Sequence, residues 1–128
     1  MNINKKIYIT AFNNLVVRFN DDLIQTFPEE KDFKTYRKGI ILLNSINNKK
    51  VSVMFNNYSN LYREKIISRD ESFFLKVNFY NLIHKESDTV ENIINKLKFH
   101  WSTLSDSNKT KIWDYINLLL ELNDKIYN

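Results

Sequence analysis

Apolar residues recur along this chain at steps of three and four, the spacing that stacks side chains on one face of a 3.6-residue helix. Between Tyr8 and Phe27 the stripe is Phe12, Leu15, Val16, Phe19, Leu23 and Phe27, which predicts a first helix. Pro28 ends it, because proline disfavours helical geometry in the residue before it. The Pro28-Glu29-Glu30 run then suits the first turn of a second helix, where carboxylates favour the dipole, and Phe33, Tyr36, Ile40 and Leu43 form its inner face. Beyond Asn47-Asn48, a third stretch carries Val51, Met54, Phe55, Tyr58, Leu61, Tyr62 and Ile66. A bend is expected near Asn56-Asn57, since asparagine competes locally for backbone hydrogen bonds.

Ser68-Arg69-Asp70-Glu71 has the form of a capping box, so a fourth helix should begin after Ser68 and turn Phe73 and Phe74 inward. Leu75, Val77 and Phe79 alternate with Lys76 and Asn78, which leaves Lys76 to Ile83 open between helix and strand. Asp88-Thr89-Val90-Glu91 is a cap signal for a helix whose stripe is Val90, Ile93, Ile94, Leu97, Trp101 and Leu104. Leu104-Ser105-Asp106-Ser107 closes that helix and opens the last, about Asn108 to Tyr127. There Ile112, Ile116, Leu119, Leu120 and Ile126 share a face that Trp113, Leu118 and Leu122 widen, a pattern expected of a helix central in a bundle. The fold class that follows is all-α: a compact antiparallel bundle of five to six helices, with residues 1–128 as a single domain without a linker.

Composition narrows the chemistry. The 128 residues include one Gly, one Pro and no Cys, which excludes disulfides, thiolate metal sites, cysteine nucleophiles and glycine-rich phosphate loops. Asn, Lys and Ile fill 49 positions and Ala only one, a bias of the kind an AT-rich genome produces. No run approaches the ~20 apolar residues of a membrane span. The N-terminal residues lack a signal-peptide apolar region, so an intracellular location without membrane insertion is the expectation. The formal charge of +4 is uneven, +5 over residues 1–68 and −1 over residues 69–128, so any polyanion-facing surface belongs to the first half.

Several segments together resemble a known group: Leu23-Ile24-Gln25-Thr26-Phe27-Pro28-Glu29-Glu30, Phe33-Lys34-Thr35-Tyr36, Tyr62-Arg63-Glu64-Lys65-Ile66, Asp70-Glu71-Ser72-Phe73-Phe74-Leu75, Leu97-Lys98-Phe99-His100-Trp101, and Lys111-Ile112-Trp113-Asp114-Tyr115-Ile116. Their order and spacing are similar to those of small uncharacterised helical proteins of nucleocytoplasmic large DNA viruses, the giant viruses, over roughly residues 15–125. The resemblance implies a viral origin and a shared helical fold, with the infected-cell cytoplasm or the virion as its location. It implies no catalytic motif. Lys76-Val77-Asn78-Phe79-Tyr80 departs from the acidic loop expected after Phe73-Phe74-Leu75.

Candidate sites are few. His84 and His100 lack an acidic or second histidine partner at metal-ligand helical spacing and read as ordinary, partly exposed side chains. The neighbouring acids Asp21-Asp22, Glu29-Glu30 and Asp70-Glu71 point about 100° apart on a helix and make no dyad; dipole stabilisation accounts for those at helix starts. Tyr8, Tyr80, Tyr115 and Tyr127 would form a contact surface if exposed together. The strongest hint is Lys31, Lys34 and Lys38 at i, i+3 and i+7 of the second helix, with Arg37 beside them and Lys49-Lys50 beyond. Such a stripe can engage phosphates or stand as a solvated face, and Glu30 is expected to neutralise Lys34 in part. The reading is a non-enzymatic interaction or scaffold protein that needs no metal or cofactor and binds another viral or host protein; the alternative is weak, sequence-indifferent nucleic-acid binding through the basic face of residues 31–50.

Overall fold

The computed structural model describes residues 3–76 and 89–128. Among the described residues six α-helices run in chain order: α1 (Ile3–Thr26), α2 (Asp32–Ile46), α3 (Lys50–Ile67), α4 (Glu71–Lys76), α5 (Thr89–His100) and α6 (Asp106–Tyr127), with a 3-10 turn (Trp101–Thr103) between the last two. The fold is an all-α bundle, and the described residues contain no strand. The question of helix or strand from Lys76 to Ile83 lies, beyond Lys76 itself, outside the described residues.

Side-chain pairings give the helix directions. α1 faces α6 with Tyr8 near Lys125 and Asp22 near Tyr115, so the two run antiparallel. α3 and α6 are also antiparallel, because Ser52 meets Tyr127 while Ile66 meets Asn117. α2 turns back along α1 after the five residues from Phe27 to Lys31. α5 lies against α2 and α3, and α6 packs most extensively on α1. The predicted stripes supply the core: Phe12, Val16, Phe19 and Leu23 from α1, Phe33 and Ile40 from α2, Val51, Phe55 and Tyr58 from α3, and Leu97 from α5 are buried. Burying each large side chain of this kind contributes roughly 1.5–3 kcal/mol. Phe74, Trp101 and Trp113 meet as a triad of rings, with centroids 5.3, 5.8 and 6.1 Å apart, and so join α4, the 3-10 turn and α6.

Polar pins align these apolar faces. Asn20, fully covered on α1, donates from Nδ2 to the Phe33 carbonyl at 2.8 Å, and Asn13 donates to the Asn48 carbonyl at 2.7 Å. Those two bonds fix both ends of α2 against α1. Asn123 on α6 does the same for the first turn of α3, donating to the Ser52 carbonyl at 3.0 Å. Each asparagine spends its amide nitrogen on such a bond, while the Oδ1 of all three is buried without a hydrogen-bond partner among the described residues.

Several local expectations need correction. α1 begins at Ile3 rather than Tyr8, and its first two turns leave Ile3 and Ile7 in solvent. Pro28, Glu29 and Glu30 form a turn ahead of α2, which starts at Asp32, so neither glutamate lies in a first helical turn. The break in α3 falls at Tyr62 (φ −124°, ψ 22°), not at Asn56-Asn57, because those asparagines keep helical geometry. Ser68 closes α3 instead of opening α4; Arg69 then takes a left-handed φ of 53°, and Asp70 caps α4 by accepting the Phe73 amide at 2.9 Å. Leu118 is exposed, so the apolar face of α6 is narrower than the run of leucines suggests. Ser105 caps α6 by accepting the Asn108 amide at 3.1 Å, as its place in the sequence predicts.

Trp101 is 2% exposed and touches both other rings of the triad. Trp101→Ala is expected to cost about 3–5 kcal/mol, a large fraction of the stability of a domain this size. Thermal unfolding followed by circular dichroism checks this, and an unchanged midpoint would remove the triad from the core.

Candidate interaction surface

The outward face of α2 is basic in its first two turns and apolar in its last two. Lys31, Lys34 and Lys38 are exposed along one stripe, and no carboxylate of the described residues lies within ion-pair distance of them. The same outward face continues into Ile41 and Leu42, 44% and 60% exposed, then Ser45, with Ile46, 73% exposed, on its flank. At 1.5 Å of rise per residue, the eight steps from Lys38 to Ile46 extend this face about 12 Å beyond the lysines. The structure therefore brings Lys31, Lys34 and Lys38 together and sets Lys49 and Lys50 apart, at the far end of α2 where α3 begins. Both of these lysines are exposed.

Arg37 is not a free member of the stripe. Its Nε donates to Asp21 Oδ1 on α1 at 2.7 Å, with both side chains about 40% exposed. Neutralisation is thus partial, as expected, but it falls on Arg37 and not on Lys34. Glu30, the partner expected for Lys34, turns the other way.

Glu30 Oε1 lies 3.0 Å from His100 Nε2 and 3.0 Å from Lys96 Nζ, and Lys96 also reaches Asp32 Oδ2 at 2.7 Å. Phe27 stacks on the His100 ring, with centroids 4.7 Å apart. His100 accordingly has an acidic partner, contributed from 70 residues away, which no helical spacing within its own segment reveals. The His100 and Lys96 hydrogen bonds hold the Glu30 carboxyl below its usual range, and its two carboxylate neighbours hold the Lys96 ammonium above its own. The arrangement clasps the α1–α2 turn to α5. Its charges are spent on one another, and the described residues add no nucleophile beside them.

The acid pairs behave as separate side chains. Asp21 turns to Arg37, whereas Asp22 accepts the Tyr115 hydroxyl. Burial, reinforced by that bond, pushes the Tyr115 phenol up to about 12. Tyr8, Tyr115 and Tyr127 all pack against the core, with the Tyr127 hydroxyl 2.7 Å from Ser52 Oγ, so these three make no exposed tyrosine surface. Tyr80 and His84 lie outside the described residues. Among the described residues, no group of three or more His, Asp and Glu side chains could hold a metal ion, and no helix is long and apolar enough to cross a membrane.

The interior holds a cavity of about 110 Å³ between α1, α3, α4, α5 and α6. Compared with family models, curated proteins and solved structures, the chain has no match.

The clasp yields a pH dependence of defined sign. Because the folded state lowers the Glu30 pKa below 4.5, its contribution is complete above that pH and is lost as pH falls through the folded value. Glu30→Gln is expected to lower the thermal midpoint at pH 7 by roughly 3–5 °C, as about 1 kcal/mol does in a domain of this size. The variant and parent curves should draw together as pH falls below 4.5; a gap that does not shrink on acidification would assign the clasp no electrostatic share.

Proposed function

We propose that the protein is a non-catalytic binding domain that docks another protein on the outward face of α2. One observation carries the reading: three lysines without carboxylate partners among the described residues run directly into exposed Ile41 and Leu42, with exposed Ile46 on the flank of the same outward face. Exposed apolar side chains beside a cluster of one charge are the mark of an interaction site rather than of a merely solvated helix. The complementary partner is a protein segment, such as an amphipathic helix, with an apolar ridge for Leu42 and Ile46 and carboxylates for Lys31, Lys34 and Lys38. In the setting implied by the resemblance to giant-virus proteins, that partner is a viral or host protein of the infected cell or virion.

A second reading, sequence-indifferent nucleic-acid binding, draws support from the same lysines together with exposed Lys49 and Lys50. The apolar half of the stripe weighs against it, since phosphate contacts make no use of Leu42 or Ile46. The two readings separate cleanly by mutation. Lys34→Glu with Lys38→Glu should weaken either partner; Leu42→Asp with Ile46→Asp should abolish protein docking and leave any nucleic-acid binding nearly intact.

The test is crosslinking affinity purification from the infected cell, with the parent chain and both double variants as baits. The expected result is a protein captured by the parent and lost from both variants, while thermal midpoints move by no more than about 0.5 kcal/mol would produce. Retardation of a duplex DNA or RNA probe at low salt, steeply salt-dependent and insensitive to the Leu42 and Ile46 changes, would replace this reading with the second.

A further inference from the structure

The interior cavity is independent of the α2 face and has its own chemistry. Its wall is almost entirely carbon, contributed by side chains such as Val16, Val51, Phe55, Phe74, Ile93 and Trp113. The polar atoms at its margin are already engaged: the Tyr58 hydroxyl donates to Glu91 Oε2 at 3.3 Å, and Lys65 Nζ lies 3.5 Å from Asp70 Oδ2. An ordered water inside would need two to four polar partners, which the described part of this wall does not offer, so the space favours an apolar occupant. Volume and chemistry then define an occupant. Roughly 110 Å³ is the scale of a single aromatic ring, since an apolar cavity of about 150 Å³ admits benzene.

We infer that the cavity is a binding site for a small, uncharged apolar molecule of about one aromatic ring, held by dispersion and ring packing without a hydrogen-bond anchor. Access follows from the wall itself. Tyr62 lines the cavity and is the one residue of α3 with non-helical backbone angles, so the last turns of α3, which carry the lining residues Lys65 and Ile66, join the rest of the helix at a break. Displacing that short segment opens the cavity without unpacking α1 from α6.

Toluene is a suitable probe, with phenol as its polar counterpart. Thermal unfolding of the whole chain should show a higher midpoint with toluene; at ten times the dissociation constant the folding equilibrium constant rises roughly eleven-fold. Phenol at equal concentration should shift it less, because its hydroxyl finds no partner inside. In methyl-labelled protein, toluene protons should give nuclear Overhauser effects to Val16, Val51 and Ile93. Val16→Ile with Val51→Ile narrows the space by two methylene groups, leaving too little for a ring; this filled variant should keep or raise the midpoint and lose the response to toluene. If it fails to fold, the Overhauser effects in the parent chain decide. No toluene response up to its solubility limit, Overhauser effects confined to exposed Leu42 or Leu118, or an undiminished response in the folded filled variant would each overturn the site.

Discussion

The antiparallel packing of α1 on α6 is the contact on which the remaining elements depend. α1 buries Phe12, Val16, Phe19 and Leu23, and α6 buries Ile112, Trp113, Leu119, Leu120 and Ile126, so the two longest helices share the deepest apolar surface. α2 is set against α1 by Asn13 and Asn20, and α3 is set against α6 by Asn123. Stacking of Phe19 on Tyr115, centroids 4.8 Å apart, together with the Tyr115 to Asp22 hydrogen bond, fixes how far one long helix slides along the other. Apolar faces alone tolerate such sliding. Directional bonds do not, which is why the buried asparagines matter beyond their modest individual energies.

That division of labour explains what could be read from the sequence. Stripes such as Phe12 to Phe27 or Val90 to Leu104 are legible because burial imposes a 3.6-residue period on residue type, and the structure buries most of their members. The pins carry no such signature. Asn13, Asn20 and Asn123 sit among nineteen asparagines that compositional bias alone would supply, and only their positions within apolar stripes, as at Asn13 beside Phe12, hint at burial. Cap chemistry misleads for a related reason: Ser68 with Glu71 has the form of the capping box, yet Asp70 makes the cap because Arg69 adopts the left-handed geometry that ends α3. Contacts between distant segments, Glu30 with His100 above all, have no local trace. Of the candidate surface, the lysine spacing was visible, but the loss of Arg37 to Asp21 and the exposure of Ile41, Leu42 and Ile46 depend on how α2 rotates against α1.

Rotation of α2 also relates its two faces. Phe33 and Ile40 are fully buried, and Asn20 and Asn13 hold the helix at its ends, so its inner face has no freedom to turn outward. The outward residues are thus presented on a rigid element, and a partner would pay little ordering entropy on this side of the contact. The clasp of Glu30, Lys96 and His100 adds to this rigidity at the start of α2, next to Lys31 and Lys34.

The cavity has its origin in the same composition that makes the stripes so clear. A core packs to native density when large side chains face small ones across each interface. With one alanine and one glycine in 128 residues, this chain offers few small apolar partners, and beyond buried Ser52 and Ser59 it fills its interior largely with rings and branched aliphatics. Phe12 and Phe55 meet edge to face at 5.5 Å, and Phe74 meets both tryptophans at similar separations, geometries that satisfy each pair without tiling the space between several pairs. A void is the geometric remainder of such packing, and its wall is apolar because the residues that create it are. The scarcity of alanine and glycine therefore accounts for the apolar-walled space between these helices.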